Sequence, residues 1–171
     1  RIGLAKWADA TIALGWYLGV LGTEWHLRHL DGESTADTEA ELALALGAME
    51  RLDRVAETGF PEPCTSSQAL NGFFVRDDVP ADYVDRFEGL LTLQSDWIDG
   101  PYLKEESQDQ VHHVGMGLAL VKRFVPPEVV VDGRALGPWA AEQGVRILEW
   151  VEAGDWLIRN PACDDKLVAR G

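Results

Sequence analysis

The sequence predicts an all-α domain of packed antiparallel helical hairpins. Long segments without Pro carry apolar residues at helical spacing, polar loops separate them, and capping residues stand where two of them begin. Hydrophobic residues make up 46% of the 171 residues and charged residues 26%, which is typical of a globular chain and excludes intrinsic disorder. We expect a single helical domain over residues 1–171, and the start at Arg1 favours a fragment or processed piece of a longer chain.

The first predicted helix extends from about Leu4 to Leu30. It contains no Pro, and apolar residues cover almost every face, which indicates a helix enclosed by neighbours on most sides. Gly15, Gly19 and Gly22 recur at intervals of four and three, so they form a stripe that lets a second helix approach closely. The apolar run from Ala10 to Gly22 is too short to span a bilayer, so we expect no membrane span.

The second predicted helix is amphipathic. Thr38 followed by Glu41 fits a capping box, which places the start of the helix there. The apolar stripe that follows consists of Leu42, Ala45, Leu46, Met49, Leu52 and Ala56. A buried helix followed by an amphipathic one predicts an αα-hairpin with an inner and an outer helix.

The middle of the chain carries weaker signals. Gly59 to Gly72 contains two Pro and is predicted to be a loop, and the short segment from Phe73 to Val79 is compatible with extended backbone. Pro80 suits the first turn of a helix, which we expect to reach about Leu93. Residues 96–102 are predicted to form another loop.

Two strong helices are predicted in the last part of the chain. Ser107 and Gln110 form a second capping box, which opens a mostly apolar, inner-type helix that ends before Pro126. A short extended piece or turn is expected over residues 129–133. The last major helix is predicted from Pro138 to about Ala153, because Pro is favoured in the first turn of a helix.

Two stretches of the sequence resemble (α/α) toroids, the architecture of six-hairpin glycosidases and related lyases. Gly15-Trp16-Tyr17-Leu18 lies in the inner-type first helix, and Ser107-Gln108-Asp109-Gln110 is similar to the Ser-x-Asp-Gln stretch of some uncharacterised bacterial toroid proteins. The resemblance covers two or three of the usual six or seven hairpins, so it implies a partial toroid. It also implies that the N-terminal ends of the inner helices face a substrate cleft.

Asp109 and Asp78 are the candidate catalytic residues. Asp109 lies in the first turn of a predicted helix, where the dipole and the backbone amides stabilise an ionised carboxylate; the alternative is that it only stabilises the helix end. Asp77 and Asp78 follow Arg76, and adjacent carboxylates beside an Arg are able to supply an acid and a base. The alternative for these two is a loop pinned by Arg76 and a helix cap before Pro80. Glycosidases place their two carboxyl groups about 5–5.5 Å apart for retention or about 6.5–9.5 Å for inversion.

Aromatic and amide side chains complete the predicted substrate-binding set. Trp97 and Tyr102, in a loop with two acids, and Trp16 offer flat apolar rings to the C–H groups of a sugar. Most of the other helical Trp side chains are expected in the core. The polar members of the set are Arg76, Asp77, Gln108 and Gln110.

The predicted function is glycan binding or glycan processing in a cleft at the inner-helix N-termini, with a small glycan as ligand. The alternative is a non-catalytic helical module that binds a protein partner or forms one part of a larger protein. The net charge of −14 opposes binding to nucleic acid. We expect no cofactor and no metal, because the four His residues form no His-Glu-x-x-His motif and no Cys-x-x-Cys is present.

The two cysteines, Cys64 and Cys163, lie in stretches that contain Pro. They are either two unpaired thiols or a disulfide that closes a long loop. Seven Trp and the acidic balance are compatible with an exported, periplasmic or extracellular, glycan-related domain.

Overall fold

A computed structural model describes residues 4–6, 9–56, 70–78, 92–94 and 106–158. This part of the chain is mostly helical, which confirms the all-α class. Its long helices are α1 (Ala10–Leu30), α2 (Ala36–Val55), α3 (Gln108–Phe124) and α4 (Leu136–Ala153). Its short strands are β1 (Leu4–Lys6), β2 (Thr92–Gln94), β3 (Val130–Val131) and β4 (Arg134–Ala135).

Helices α1 and α3 make the most extensive contact between elements and run parallel to each other. Gly15 of α1 lies against the backbone of His113, and Gly22, two turns later, lies against Val121. A Cβ on Gly15 would lie 2.5 Å from the His113 carbonyl group, a distance that real Cβ atoms do not adopt. The stripe of small residues predicted from the sequence is therefore confirmed as the surface on which a second helix, α3, packs.

Helix α4 folds back along α3 after a two-stranded antiparallel β-hairpin. The residues between β3 and β4, Asp132 and Gly133, have φ values of 49° and 79°. Positive φ at both positions is what a type I′ turn requires, and Asp-Gly is a favoured pair for it. The extended piece or turn expected over residues 129–133 is confirmed. Beyond the turn, Gly144 of α4 packs beside Leu118 of α3.

Helix α2 packs against both α1 and α4. Trp25 of α1 donates its Nε1–H to Glu39 of α2 over 2.9 Å, and Gln143 of α4 donates its Nε2–H to the carbonyl oxygen of Leu46 over 3.1 Å. The core between the helices also receives three consecutive residues of the 70–78 segment. Its fully buried apolar side chains include Leu18, Leu42, Leu46, Phe73, Phe74, Val75, Val114, Val121 and Leu136.

The predicted helix boundaries are correct where local capping signals are unambiguous. Ser107 and Gln110 form the capping box of α3, and α3 ends at Phe124, before the two Pro residues. The last helix ends at Ala153, as predicted, and Pro138 lies in its first turn. None of the helices in the described residues is both long and apolar enough to cross a bilayer.

Three predicted boundaries are wrong. α1 begins at Ala10 and not near Leu4, because residues 4–6 pair in parallel with residues 92–94. The same pairing places Thr92 and Leu93 in a strand and not at the end of a helix; residues 80–91 lie outside the described residues. α2 begins at Ala36, after the N-cap Thr35, and buries Thr38 in its first turn.

One apolar face of α1 is uncovered, in contrast to the expectation that the helix is enclosed on most sides. Trp16, Val20 and Leu27 are each more than half exposed. They are separated by four and seven residues, so they lie on one side of the helix. This face borders the candidate site described below.

Candidate functional site

The N-terminal end of α3 holds Asp109 in an ionised state. Ser107 donates its backbone N–H to Gln110 Oε1 over 3.0 Å and its hydroxyl to the Asp109 carboxylate. The Ser107 hydroxyl lowers the pKa of Asp109; partial burial opposes this effect, and the Gln110 N–H and the positive charge of Arg76 reinforce it. Asp109 itself is exposed, so its carboxylate is accessible to a ligand.

Two rings lie near the backbone of Asp109. His113 donates its Nδ1–H to the backbone carbonyl oxygen of Asp109 over 2.6 Å, since a carbonyl oxygen only accepts. The indole of Trp16 lies across the imidazole of His113, with ring centroids 5.4 Å apart and planes tilted by 50°. The structure thus brings Trp16 and Asp109, which are far apart in sequence, to one end of the α1–α3 pair.

A groove between α1 and α3 extends from Trp16 along the exposed face of α1. Its volume is about 550 Å³, within the usual range for small-molecule sites. Its apolar lining includes Val20, Leu27, Met116 and Leu120. At the end remote from Trp16 it carries the Glu24–Arg28 ion pair, in which Arg28 Nε lies 2.8 Å from Glu24 Oε1. We call this feature the α1–α3 groove.

The second predicted catalytic residue, Asp78, is directed towards α2. Both of its carboxylate oxygens accept hydrogen bonds from Arg51, one of them from Nη2 over 3.2 Å. Asp77 is buried, and Arg76 is close enough to Asp109 to lower its pKa. The 70–78 segment therefore directs Arg76 to α3 and Asp78 to α2.

The other predicted binding residues have different environments. Gln110 is fully buried and uses its Oε1 to hold the start of α3. Gln108 is exposed and borders a second groove, between α3 and α4. Trp97 and Tyr102, as well as Cys64 and Cys163, lie outside the described residues.

A buried polar cluster, not predicted from the sequence, supports the 70–78 segment. Asp53 of α2 accepts hydrogen bonds from Gly72 N–H over 3.2 Å and from Arg146 Nε of α4 over 3.3 Å. Burial raises the pKa of Asp53, although these two donors oppose it. Glu106 is fully buried, and burial raises its pKa well above the usual range, against the effect of the Phe74 N–H that it accepts. The cluster therefore holds the 70–78 segment in place. This segment carries Arg76, which lies near Asp109 at the start of α3.

Among the described residues, no group of three or more His, Cys, Asp or Glu side chains converges in a way that would hold a metal ion. No protein-family model matches the chain, and neither a curated protein nor a solved structure is detectably similar to it.

Proposed function

We propose that the domain binds a neutral glycan in the α1–α3 groove. The observation that carries this proposal is the position of Trp16: its indole is 53% exposed, borders the groove and lies beside the Asp109–His113 pair. A flat aromatic ring in a groove that also holds carboxylates, Glu24 among them, suits a sugar ring, which has an apolar C–H face and hydroxyl groups at its edge. The ring stacks on the C–H face, and Asp109 accepts from the hydroxyls.

The charge of the groove selects the class of glycan. Three carboxylates, Glu24, Asp31 and Glu33, line the groove, and Arg28 is the one basic residue among the described residues of its lining. Arg28 pairs with Glu24 and Glu33. The chain as a whole carries a net charge of −14. Uronic acids and sulfated sugars would be repelled, so we expect neutral hexoses or N-acetylhexosamines.

The same geometry supports the proposal that these helices are two hairpins of a partial (α/α) toroid. α1 and α3 are parallel neighbours, and each is followed by a helix that folds back against it. In such an array, inner helices of successive hairpins run parallel, so their N-terminal ends meet at one side. α1 and α3 would be the inner helices, and the Trp16–Asp109 end would be the cleft side.

The described residues favour binding of the glycan without its hydrolysis. Asp109 is held ionised, which suits a base or a ligand acceptor but not a general acid. Asp78, its predicted partner, has both carboxylate oxygens engaged by Arg51. A hydrolytic role for this pair stays a prediction.

The proposal is tested by screening the chain against an array of neutral and acidic oligosaccharides, followed by calorimetric titration of the best neutral ligand. We expect binding to neutral glycans, and a loss of at least about tenfold in affinity for Trp16→Ala, since stacking on an aromatic ring contributes about 1 kcal/mol or more beyond its area. Trp156→Ala is the matched control, because Trp156 is also exposed but lies on α4's side of the molecule. Absence of binding on the whole array, or an equal loss in both variants, would contradict the proposal.

The alternative function, a helical module that binds a protein partner, is favoured by a different observation. A second and larger groove, between α3 and α4, is bordered by apolar side chains that are more than half exposed.

A further inference from the structure

A cavity lies where α1, α3 and α4 meet, at the end of α3 that is remote from Asp109. Its volume is about 430 Å³, within the usual range for small-molecule sites. The described residues that line it include no acid but four basic side chains, which are His26, His29, Lys122 and Arg123. We call this feature the basic cavity. None of the described residues lines both this cavity and the α1–α3 groove, so the inference does not rest on the glycan proposal.

Part of the cavity wall is a direct contact between main chains. A Cβ on Gly137, in the first turn of α4, would lie 2.2 Å from the carbonyl oxygen of Val125, which follows α3. Both residues line the cavity. The next residue back along the chain, Leu136, donates its N–H to the carbonyl oxygen of Val129 over 3.0 Å. The start of α4 is therefore held against the end of α3, and the cavity does not depend on a ligand for its shape.

Two pairs of stacked rings form the apolar part of the lining. The imidazole of His26 stacks on Phe124, with ring centroids 4.6 Å apart and planes 20° apart. The imidazole of His29 stacks on Trp25, with centroids 4.8 Å apart and planes 12° apart. Because all four rings border the cavity, they offer flat surfaces to a planar or apolar part of a ligand.

The two cationic side chains of the basic cavity are not neutralised by the described part of the chain. Lys122 and Arg123 take part in none of the ion pairs between described residues. Arg123 lies over the ring of Phe124 at 5.7 Å from its centroid. Both side chains are exposed, so they are accessible to a ligand.

Helix ends and nearby acids do not cancel this positive charge. The ends of α1 and α3 contribute about half a negative charge each, and the start of α4 about half a positive one, so Lys122 and Arg123 exceed them. Glu39 already accepts hydrogen bonds from Trp25 and from Thr35, and it does not line the cavity. The net charge of −14 belongs to the whole chain, and its distant members are screened over about 8 Å at physiological ionic strength.

We propose that the basic cavity binds a small phosphomonoester. A phosphoryl group carries about −1.5 to −2 charges at neutral pH and three acceptor oxygens, so it suits basic groups that approach from two helices. Arg123 provides a planar fork of donors and Lys122 a compact positive charge, and each imidazole has at least one N–H. The organic part of the ester packs on the stacked rings. A carboxylate has one charge and two oxygens in a plane, so it makes fewer of these contacts.

The test is calorimetric titration of the full chain with phenyl phosphate, inorganic phosphate and benzoate. Inorganic phosphate should bind at least about tenfold more weakly than phenyl phosphate, because it buries no ring. Benzoate should also bind at least about tenfold more weakly, since it loses charge-assisted hydrogen bonds. Equal affinities for phenyl phosphate and inorganic phosphate would overturn the role of the rings, and equal affinities for phenyl phosphate and benzoate would overturn the choice of phosphate.

The four His residues of the chain locate the ligand by nuclear magnetic resonance. Phenyl phosphate should shift the imidazole signals of His26 and His29, which line the cavity, and leave those of His112 and His113 unchanged. Absence of any shift at millimolar phenyl phosphate, or equal shifts of all four signals, would overturn the inference.

Charge-matched variants test the two cations. Lys122→Gln and Arg123→Gln should each lower the affinity for phenyl phosphate about tenfold, and circular dichroism verifies that both variants are folded. Arg54→Gln removes the same charge from the last turn of α2, outside the cavity, and should leave the affinity within about twofold because a distant charge is screened. An equal loss in all three variants would reduce the effect to the net charge of the chain and contradict the site.

Discussion

A Cβ placed on Gly117 of α3 would lie 2.2 Å from the carbonyl oxygen of Gly15 of α1. The obstacle is backbone, so no side-chain movement relieves it. The two helices touch here through their main chains, and this contact sets the distance between the Trp16 side of α1 and the Asp109–His113 side of α3. The geometry of the candidate glycan site therefore depends on Gly15 and Gly117, although neither glycine contributes a side chain to the site.

Gly117→Ala should destabilise the domain strongly. The added methyl group forces α1 and α3 apart, and overpacking of this kind costs about 1–3 kcal/mol. The obstacle at 2.2 Å is backbone, which places the cost at the upper end of this range and above the gain of about 1 kcal/mol that Ala brings over Gly in a helix. Urea denaturation followed by circular dichroism measures the difference in the free energy of unfolding.

Gly115→Ala is the control for this variant within the same helix. Position 115 is two residues away, and a Cβ there meets nothing within 4 Å. The substitution should stabilise the domain by about 0.5–1 kcal/mol through helix propensity alone. Equal changes in the free energy of unfolding for Gly115→Ala and Gly117→Ala would show that α1 and α3 do not approach as closely as described.

Glu106 should make the domain less stable as the pH rises. Burial raises the pKa of Glu106 well above its value in the unfolded chain, so the folded state holds a proton that the unfolded state releases. This group therefore costs no stability below the unfolded pKa of about 4.5 and an increasing amount as the pH rises towards the folded pKa. Asp53, whose pKa burial also raises, acts in the same direction.

Glu106→Gln removes this titration and keeps the shape of the side chain. Gln retains the oxygen that accepts the Phe74 N–H, a contact of 3.2 Å in the native protein. The variant should match the native protein in stability at pH 4 and exceed it at pH 8, as measured by urea midpoints across that range. Parallel curves for the two proteins would indicate that Glu106 is not buried in its neutral form.

Glu50 should have the opposite pH dependence. Burial raises its pKa, but hydrogen bonds from Arg134 and Trp139, together with the charge of Arg134, outweigh burial and lower the pKa to about 2. Glu50 Oε2 lies 2.6 Å from Trp139 Nε1 and 2.9 Å from Arg134 Nη2, so it joins α2 to β4 and α4. The contribution of Glu50 to the free energy of unfolding is complete above pH 4.5 and is lost as the pH falls towards 2.

Glu50→Gln should destabilise the domain by about 1.5–3 kcal/mol at pH 7, the usual contribution of hydrogen bonds to a charged group, and by much less near pH 2. Glu24→Gln is the comparison, because the Glu24–Arg28 pair is more exposed and such pairs contribute less than about 1 kcal/mol. Thermal unfolding at both pH values provides the measurement. A variant that loses as much stability near pH 2 as at pH 7 would contradict the lowered pKa.

Local signals in the sequence were sufficient to predict most of the helices. The Ser107–Gln110 capping box involves two residues of one turn, so no other part of the chain is needed to recognise it. The glycine stripe of α1 indicated a close helix contact for the same reason. Thr35 and Thr38 show the limit of such rules: Thr38 has the better spacing to a Glu, yet Thr35 caps α2 and donates its hydroxyl to Glu39 over 2.7 Å.

Features that depend on distant partners were not predictable. Glu106 and Asp53 are 53 positions apart, and both are bonded to the 70–78 segment, Glu106 to the N–H of Phe74 and Asp53 to the N–H of Gly72. The exposure of Trp16 depends on which elements cover α1, and an apolar sequence pattern does not reveal that. His113 carried no signal in the sequence, and only the structure places it between Trp16 and the backbone of Asp109.

Asp109 and Asp78 should differ in their effects on the glycan site. Asp109→Asn removes an exposed, ionised hydrogen-bond acceptor one turn before His113, on which Trp16 packs, so the affinity for the neutral glycan found on the array should fall about tenfold. Asp78→Asn disrupts the bond to Arg51 on α2 and should leave this affinity within about twofold. Calorimetric titration measures both affinities, and reducing-end release from the same glycan measures hydrolysis. A native chain that hydrolyses the glycan, with activity lost in both variants, would restore the paired-carboxylate mechanism; equal loss of affinity in both variants would place the ligand elsewhere.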